Sequence, residues 1–118
     1  MNLVFKQHIN NWWWGKSFDI VVDNGIGIVS IKFDNEYPDT AYIEGLSVLE
    51  QHRHKGYGHN ILKQCEVIAE NNNKRFIKLD VEKQNNELIS WYTRHGYSIC
   101  YIGEHVYTMI KVIQNGSK

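Results

Sequence analysis

The segment QHRHKGYG, residues 51 to 58, determines how this chain of 118 residues is interpreted. It follows a strand-like run, TAYIEGLSV (40–48), and precedes HNILKQCEVIAE (59–70), in which apolar residues recur at helical spacing. A second strand-like run, RFIKLDVE (75–82), comes next, so the pattern predicts a βαβ unit with its helix over 57–71. Because ligands of such units bind beyond the carboxyl ends of the strands, the segment is expected to lie at a binding site.

The residue types in this segment suit a phosphorylated ligand. A helix N-terminus offers N–H groups without helical partners and a partial positive charge. Gly56 and Gly58 allow the main chain to approach phosphate oxygens closely, while Arg53 and Lys55 add positive charge at the rim. We therefore predict a diphosphate site. It is neither a dinucleotide fingerprint, because Ile61 stands where a third glycine is required, nor a triphosphate loop, because no Gly-Lys-Ser/Thr tripeptide occurs.

The rest of the chain completes a mixed sheet. FDIVV (18–22) and IGIVSIKF (26–33) predict an antiparallel pair joined by a tight turn at Asp23-Asn24-Gly25. NELISWYTRH (86–95) predicts a second helix that begins after an N-cap at Asn85 or Asn86, and the tail predicts a closing hairpin. The expected fold is a single α/β domain over residues 1–118, with a mostly antiparallel sheet, a central parallel strand pair and two main helices.

Composition narrows the function classes. Thirteen basic residues balance thirteen acidic ones, so no overall field favours nucleic acid, and no apolar run is long enough to span a membrane. Cys65 and Cys100 are expected to be reduced core residues of a cytoplasmic protein. His52, His54 and His59 do not have the spacing of a zinc site, so no metal is predicted.

Two motifs, in the expected order, resemble those of the GNAT superfamily of N-acyltransferases. Val48, Arg53, Gly56 and Gly58 match V-x-P-x-x-R-x-x-G-x-G, its acyl-CoA-binding motif, except that Glu50 stands where proline is common. The run from 85 to 97, NNELISWYTRHGY, is similar to the family's second signature, N-x-x-A-x-x-F-Y-E-K-x-G-F. The resemblance covers residues 18–113 in element order.

The resemblance implies the site and its reaction. In this family the two parallel strands splay apart, the pantetheine arm of acetyl-CoA lies between them, and a substrate amine attacks the thioester directly in a ternary complex. The implied contacts are with pantetheine at Leu46, Ser47 and Val48, and with the diphosphate at Arg53, His54, Lys55, Gly56, Tyr57 and Gly58. Asn85 would steady the arm of the cofactor, or would serve only as a helix cap.

Two residues are candidates for the chemistry itself. Tyr92 matches the tyrosine that protonates the departing thiolate, although Leu88 and Tyr92 are an i,i+4 pair that could simply face the core. Glu44 is the candidate base for the amine, and its alternative interpretation is an ordinary exposed strand glutamate. Strict alternation places Glu44 on the same face as Leu46 and Val48, whereas a β-bulge would change its face.

The N-terminal region departs from the family pattern. Family members usually have a longer region before the first hairpin, whereas NLVFKQHINNWWWGKS (2–17) stands here, so this region is expected to be reduced. Trp12, Trp13 and Trp14 are interpreted either as a strap that closes the core or as a homodimer interface. A reduced region implies an open acceptor site, which suits a peptide, a protein or another bulky amine. The alternative function is a module of the same fold that binds CoA without turnover.

Overall fold

The computed structural model describes residues 3–114 as one seven-stranded mixed sheet with two α-helices. The strands are β1 (Phe5–Trp12), β2 (Gly15–Val22), β3 (Gly27–Asp34), β4 (Thr40–Val48), β5 (Phe76–Glu82), β6 (Ser98–Ile102) and β7 (Val106–Val112). The helices are α1 (Tyr57–Asn71) and α2 (Asn86–Arg94), and short 3-10 turns occur at Asp23–Gly25 and Glu50–His52. The strand order is β1-β2-β3-β4-β5-β7-β6. The predicted fold class is therefore confirmed.

The predicted βαβ unit is present, with β4 and α1 at their expected bounds. β4 and β5 are parallel but pair only over three residues each, Thr40 to Tyr42 against Phe76 to Lys78. Beyond this point the two strands separate, as expected for a splayed pair. All other neighbouring strands are antiparallel.

The core lies on one face of the sheet, under both helices. Alternate residues of the strands point to this face, which is the pattern of a half-buried sheet. α1 packs on it through Ile61, Leu62, Cys65 and Ala69, and α2 through Tyr92. Each fully buried aliphatic side chain contributes roughly 1.5–3 kcal/mol, so this packing fixes both helices relative to the strand ends.

A bulge in β4 changes the expected orientation of its side chains. Pairing with β3 shifts register between Ile28 and Ser30, opposite Gly45, whose φ of 66° is in the left-handed region. Strict alternation was therefore wrong beyond this position. Leu46 and Val48 pack against the core, whereas Glu44 points to the opposite face.

The three tryptophans do not close the core as a strap. They lie where β1 turns into β2, and the side chains of Trp13 and Trp12 are 92% and 52% exposed. The rings of Trp12 and Trp14 are nearly parallel, with their centroids 6.0 Å apart, and Trp12 Nε1 donates to Ser17 Oγ at 2.9 Å. The interpretation as a core strap is wrong because the β1–β2 turn carries these side chains to the end of the hairpin.

The face of the sheet opposite the helices is open and carries polar side chains together with the exposed Val21 and Ile28. In the part of the chain that the structure describes, both α-helices pack on the other face. Ser30 Oγ donates to Asp19 at 2.6 Å, and Lys32 forms an ion pair with Glu44 on this open face. None of the helices within residues 3–114 is long and apolar enough to cross a membrane.

Candidate active site

A cavity of about 520 Å³ lies where the carboxyl end of β4, the N-terminus of α1 and one side of α2 meet. Its walls come from the separated end of β4, the 49–56 connection and the facing surfaces of both helices. The lining residues are Leu46, Ser47, Val48, His52, Arg53, His54, Gly56, Tyr57, Gly58, His59, Asn85, Glu87, Leu88, Trp91, Tyr92 and Arg94.

The structure brings ten of the twelve predicted site residues together in this cavity. They are Leu46, Ser47, Val48, Arg53, His54, Gly56, Tyr57, Gly58, Asn85 and Tyr92. Lys55 lies in the same connection but does not line the cavity, and Glu44 lies outside it. Leu46 and Tyr92, which are more than forty positions apart in the sequence, therefore line the same cavity.

The glycine turn has the geometry of an anion cradle. His54 and Gly56 both have left-handed backbone angles, with φ of 62° and 86°, and Gly56 is the N-cap of α1. Glycine has no side chain to cap the helix, and α1 has no side-chain cap bond. The first N–H groups of α1 therefore face the cavity without a side-chain acceptor, which is the arrangement that binds phosphate oxygens.

Arg53 and Gly58 define the surroundings of this turn. Arg53 Nε donates to the carbonyl oxygen of Val48 at 2.9 Å, and this bond holds the guanidinium beside the turn. The terminal N–H groups of Arg53 take no part in this bond. A Cβ at Gly58 would lie 3.3 Å from the Trp91 ring. Glycine at position 58 thus allows α1 and α2 to approach each other at the cavity.

Tyr92 lies at the inner end of the cavity and is 5% exposed. Burial, together with the nearby Cys65, raises its pKa from 10.0 to about 12. The phenol therefore remains protonated at neutral pH and acts as a hydrogen-bond donor. Trp91 and Tyr97 contact its ring edge-on, with centroids 5.0 and 5.6 Å away, and hold its orientation.

Asn85 caps α2 and lines the cavity as well. Its side-chain oxygen accepts from the Leu88 N–H at 3.1 Å, so its cap role is confirmed. The amide nitrogen of the same side chain is left for another partner. Its contact with a cofactor stays a prediction.

Glu44 is placed differently from the other candidates. Its side chain is 59% exposed on the open face, and a carboxylate oxygen lies 2.8 Å from Lys32 Nζ. It stands two residues after Tyr42, where the pairing of β4 with β5 ends. The carboxylate is thus on the side of the sheet away from the helices, and it is turned toward β3, where Lys32 lies.

Sequence reasoning missed six lining residues: His52, His59, Glu87, Leu88, Trp91 and Arg94. Four of them are on α2, at positions 87, 88, 91 and 94, a spacing that follows one face of a helix that also includes Tyr92. This helical spacing was a usable signal. His52 and His59 flank the glycine turn and were considered only as metal ligands.

Within residues 3–114 no group of three or more His, Cys, Asp or Glu side chains could hold a metal ion.

The fold combines a pair of parallel strands that separate with the N-terminus of α1, which has no side-chain cap. The acetyltransferase (GNAT) family model matches residues 4–97. The chain therefore belongs to the GNAT acetyltransferase family.

Solved structures share this fold at low sequence identity. The PaiA N-acetyltransferase from Thermoplasma acidophilum, in complex with coenzyme A, is 22% identical with a TM-score of 0.70, and the alignment covers 81% of this chain and 59% of that one. A GNAT family acetyltransferase from Elizabethkingia anophelis with acetyl-CoA bound is 14% identical with a TM-score of 0.75, over 94% and 98% of the two chains. A spermidine N-acetyltransferase chimera from Vibrio cholerae and hSSAT is 18% identical with a TM-score of 0.70, over 82% and 68%.

Proposed function

We propose that this chain transfers an acetyl group from acetyl-CoA to a primary amine, which attacks the thioester directly in a ternary complex. The observation that carries this proposal is the single cavity shared by the uncapped N-terminus of α1, the separated end of β4 and the buried Tyr92. The uncapped helix N-terminus suits a diphosphate, and the separated end of β4 suits an extended arm that contains amides. The buried Tyr92 suits a thiolate leaving group.

The residues of the cavity fit coenzyme A. The Gly56 to Gly58 turn and the Arg53 guanidinium would hold the diphosphate, with Lys55 adding charge from outside the cavity wall. The main chain from Leu46 to Val48 would pair with the pantetheine amides, because β4 has no strand beside it on that edge after Tyr42 within the described chain. When bound, acetyl-CoA supplies an activated acetyl thioester.

Tyr92 would assist the departure of the thiolate. With a pKa of about 12, its hydroxyl does not give up its proton fully to a thiolate whose conjugate acid has a pKa of about 8.5. Complete transfer would cost about 5 kcal/mol, so Tyr92 stabilises the developing negative charge by hydrogen bonding and the released thiol takes its proton from solvent.

Glu44 would act from the other side of the sheet. The amine must lose a proton to become nucleophilic, and a carboxylate on β4, the strand that borders the gap, can accept it directly or through one water. Glu44 would first have to exchange its ion pair with Lys32 for the cationic amine. In this arrangement the cofactor enters from the helix side and the acceptor from the open face, as a ternary complex requires.

The open face favours an acceptor that is large or extended. An exposed sheet face with polar side chains can receive a peptide or protein amine, or a polyamine such as the one named for the similar Vibrio cholerae chimera. The exposed Trp13, beside the parallel rings of Trp12 and Trp14, would form a homodimer interface at the end of the β1–β2 hairpin.

Release of free thiol tests the proposal. The full chain is incubated with acetyl-CoA and a panel of amines that includes spermidine, lysine-containing peptides and a protein mixture. We expect thiol release with at least one acceptor, slowed about tenfold or more by Tyr92→Phe, and unchanged by Tyr101→Phe, which alters a 65% exposed tyrosine far from the cavity. Equal rates for the two variants would contradict the role of Tyr92.

A CoA-binding module without turnover is the second candidate. It is favoured by the placement of Glu44, which lies outside the cavity and is already paired with Lys32. This function predicts that CoA raises the melting temperature while no acceptor on the panel causes thiol release. Failure of CoA to bind would exclude both candidates.

A further inference from the structure

A second cavity adjoins the first on the outer side of the two helices. Its volume is about 380 Å³, and its lining residues are His59, Leu62, Lys63, Glu66, Arg94, His95, Gly96 and Lys111. His59 and Arg94 line both cavities. A ligand in the first cavity can therefore extend into the second without crossing the core.

The second cavity has an excess of positive charge. Three lining side chains, Lys63, Arg94 and Lys111, are cationic, and one, Glu66, is anionic. The carboxylate of Glu66 is already satisfied, because Tyr97 O–H and Lys111 Nζ donate to it at 3.0 and 3.1 Å. Arg94 makes no ion pair with any residue between 3 and 114. Its guanidinium is available to an anion.

Two histidines between the cavities form a hydrogen-bonded pair. His59 Nδ1 lies 3.1 Å from His95 Nε2, and His95 Nδ1 lies 2.7 Å from the carbonyl oxygen of Trp91. A carbonyl only accepts, so His95 Nδ1 carries a proton. In the neutral pair His95 Nε2 must then accept from His59 Nδ1, which leaves His59 Nε2 as an acceptor.

The geometry of this pair allows one added proton but not two. A first proton can reside on His59 Nε2 or, after a change of tautomer, on His95 Nε2, and the contact between the rings is kept in either case. A second proton would put two N–H donors against each other at 3.1 Å. The pair is thus a site of zero or one positive charge beside Arg94.

We infer that the second cavity receives the 3′-phosphate of coenzyme A, held by Arg94 and by the His59–His95 pair. This inference rests on the proposed function, which puts the diphosphate at the glycine turn next to His59. Coenzyme A carries a third phosphate on its ribose, and the second cavity offers that group a cationic position beside the first cavity. Arg94 offers the planar pair of donors that matches a phosphate, and the histidine pair places an imidazole ring beside it.

Charged groups from three elements line the cavity beside the histidine pair. Lys63 from α1, Arg94 from α2 and Lys111 from β7 are cationic, and Glu66 from α1 is anionic. The cations outnumber the carboxylate, so this cavity favours a phosphate dianion.

Calorimetric titration of the full chain with CoA and with 3′-dephospho-CoA tests this inference. We expect CoA to bind about 10- to 100-fold more tightly than dephospho-CoA. Arg94→Ala should bring this ratio close to one, and Arg94→Lys should give an intermediate ratio. Lys16→Ala, which removes an exposed cation on β2, is the matched control and should keep the wild-type ratio.

A variant of the histidine pair provides an independent readout. His95→Gln removes the ring that lies 3.1 Å from His59 Nδ1 and should narrow the ratio between the affinities for CoA and dephospho-CoA.

The outcomes separate this inference from the function on which it rests. Equal affinity of the wild-type chain for CoA and dephospho-CoA would overturn the third-phosphate site and leave acetyl transfer intact. A preserved ratio in Arg94→Ala would also overturn it. Binding of neither compound would instead refute the proposed function.

Discussion

Cys65 lies in the middle of α1 with none of its surface exposed, and its ionisation should control stability in alkali. Burial, with a smaller effect of Glu66, raises the pKa of this thiol from 9.0 to about 12. Between these two values the unfolded chain releases a proton that the folded chain retains. The stabilisation is therefore complete below pH 9 and is lost progressively as the pH rises toward about 12.

The size of the effect follows from the two pKa values. At about pH 11 the ionisation of the unfolded thiol removes about 3 kcal/mol from the free energy of unfolding. Cys65→Ala has no such thiol but loses about 1 kcal/mol of packing at every pH. The variant should be less stable than the wild type by about 1 kcal/mol near pH 8, and more stable by about 2 kcal/mol near pH 11.

Urea unfolding followed by tryptophan fluorescence, with a reducing agent present, measures this reversal. Tyr92 and Tyr97 also have pKa values raised mainly by burial, with a smaller effect of Cys65, so their weakening effect in alkali is largely common to both proteins and largely cancels in the difference. Cys100→Ala removes an exposed thiol and should follow the wild type at each pH. If the difference between the wild type and Cys65→Ala is the same at both pH values, the assignment of the alkaline effect to Cys65 is refuted.

Two further predictions concern the glycine turn and the tryptophans. Gly58→Ala should change stability by less than about 1 kcal/mol, because better helix propensity offsets the tight contact with Trp91. It should still weaken CoA binding by about tenfold or more in calorimetry, since the added methyl group would stand in the cavity against the Trp91 ring, and undiminished affinity would contradict the proposed phosphate site. Light scattering at micromolar concentration should show a dimer that Trp13→Ser converts to a monomer, whereas a monomeric wild type would remove the proposed interface.

Local sequence patterns predicted the elements that position the site. The bounds of β4 and α1 followed from alternation, helical spacing and the break at Asn71 to Asn73, because each depends on neighbours within a few residues. β1 was not predicted. FKQHINNW alternates weakly because this edge strand is mostly exposed on both faces, so burial left little trace in its sequence.

Features that depend on distant neighbours were beyond the sequence. The bulge at Gly45 reflects how β4 pairs with β3, and a lone glycine in a strand has several explanations. The contact of His59 with His95 joins residues on two helices whose approach is set by the whole core. Because the bulge determines which face of the sheet Glu44 occupies, that face could not be decided from residue order alone.

The bulge at Gly45 makes the two parts of β4 point their side chains to different surfaces. Residues after it line the cavity proposed for the coenzyme, while Glu44 and its neighbours Lys32 and Tyr42 lie on the opposite surface. Under the proposed function, substitutions on that surface would change the acceptor without altering the residues that hold the acyl donor. Acceptor specificity and donor binding would then evolve independently on one strand.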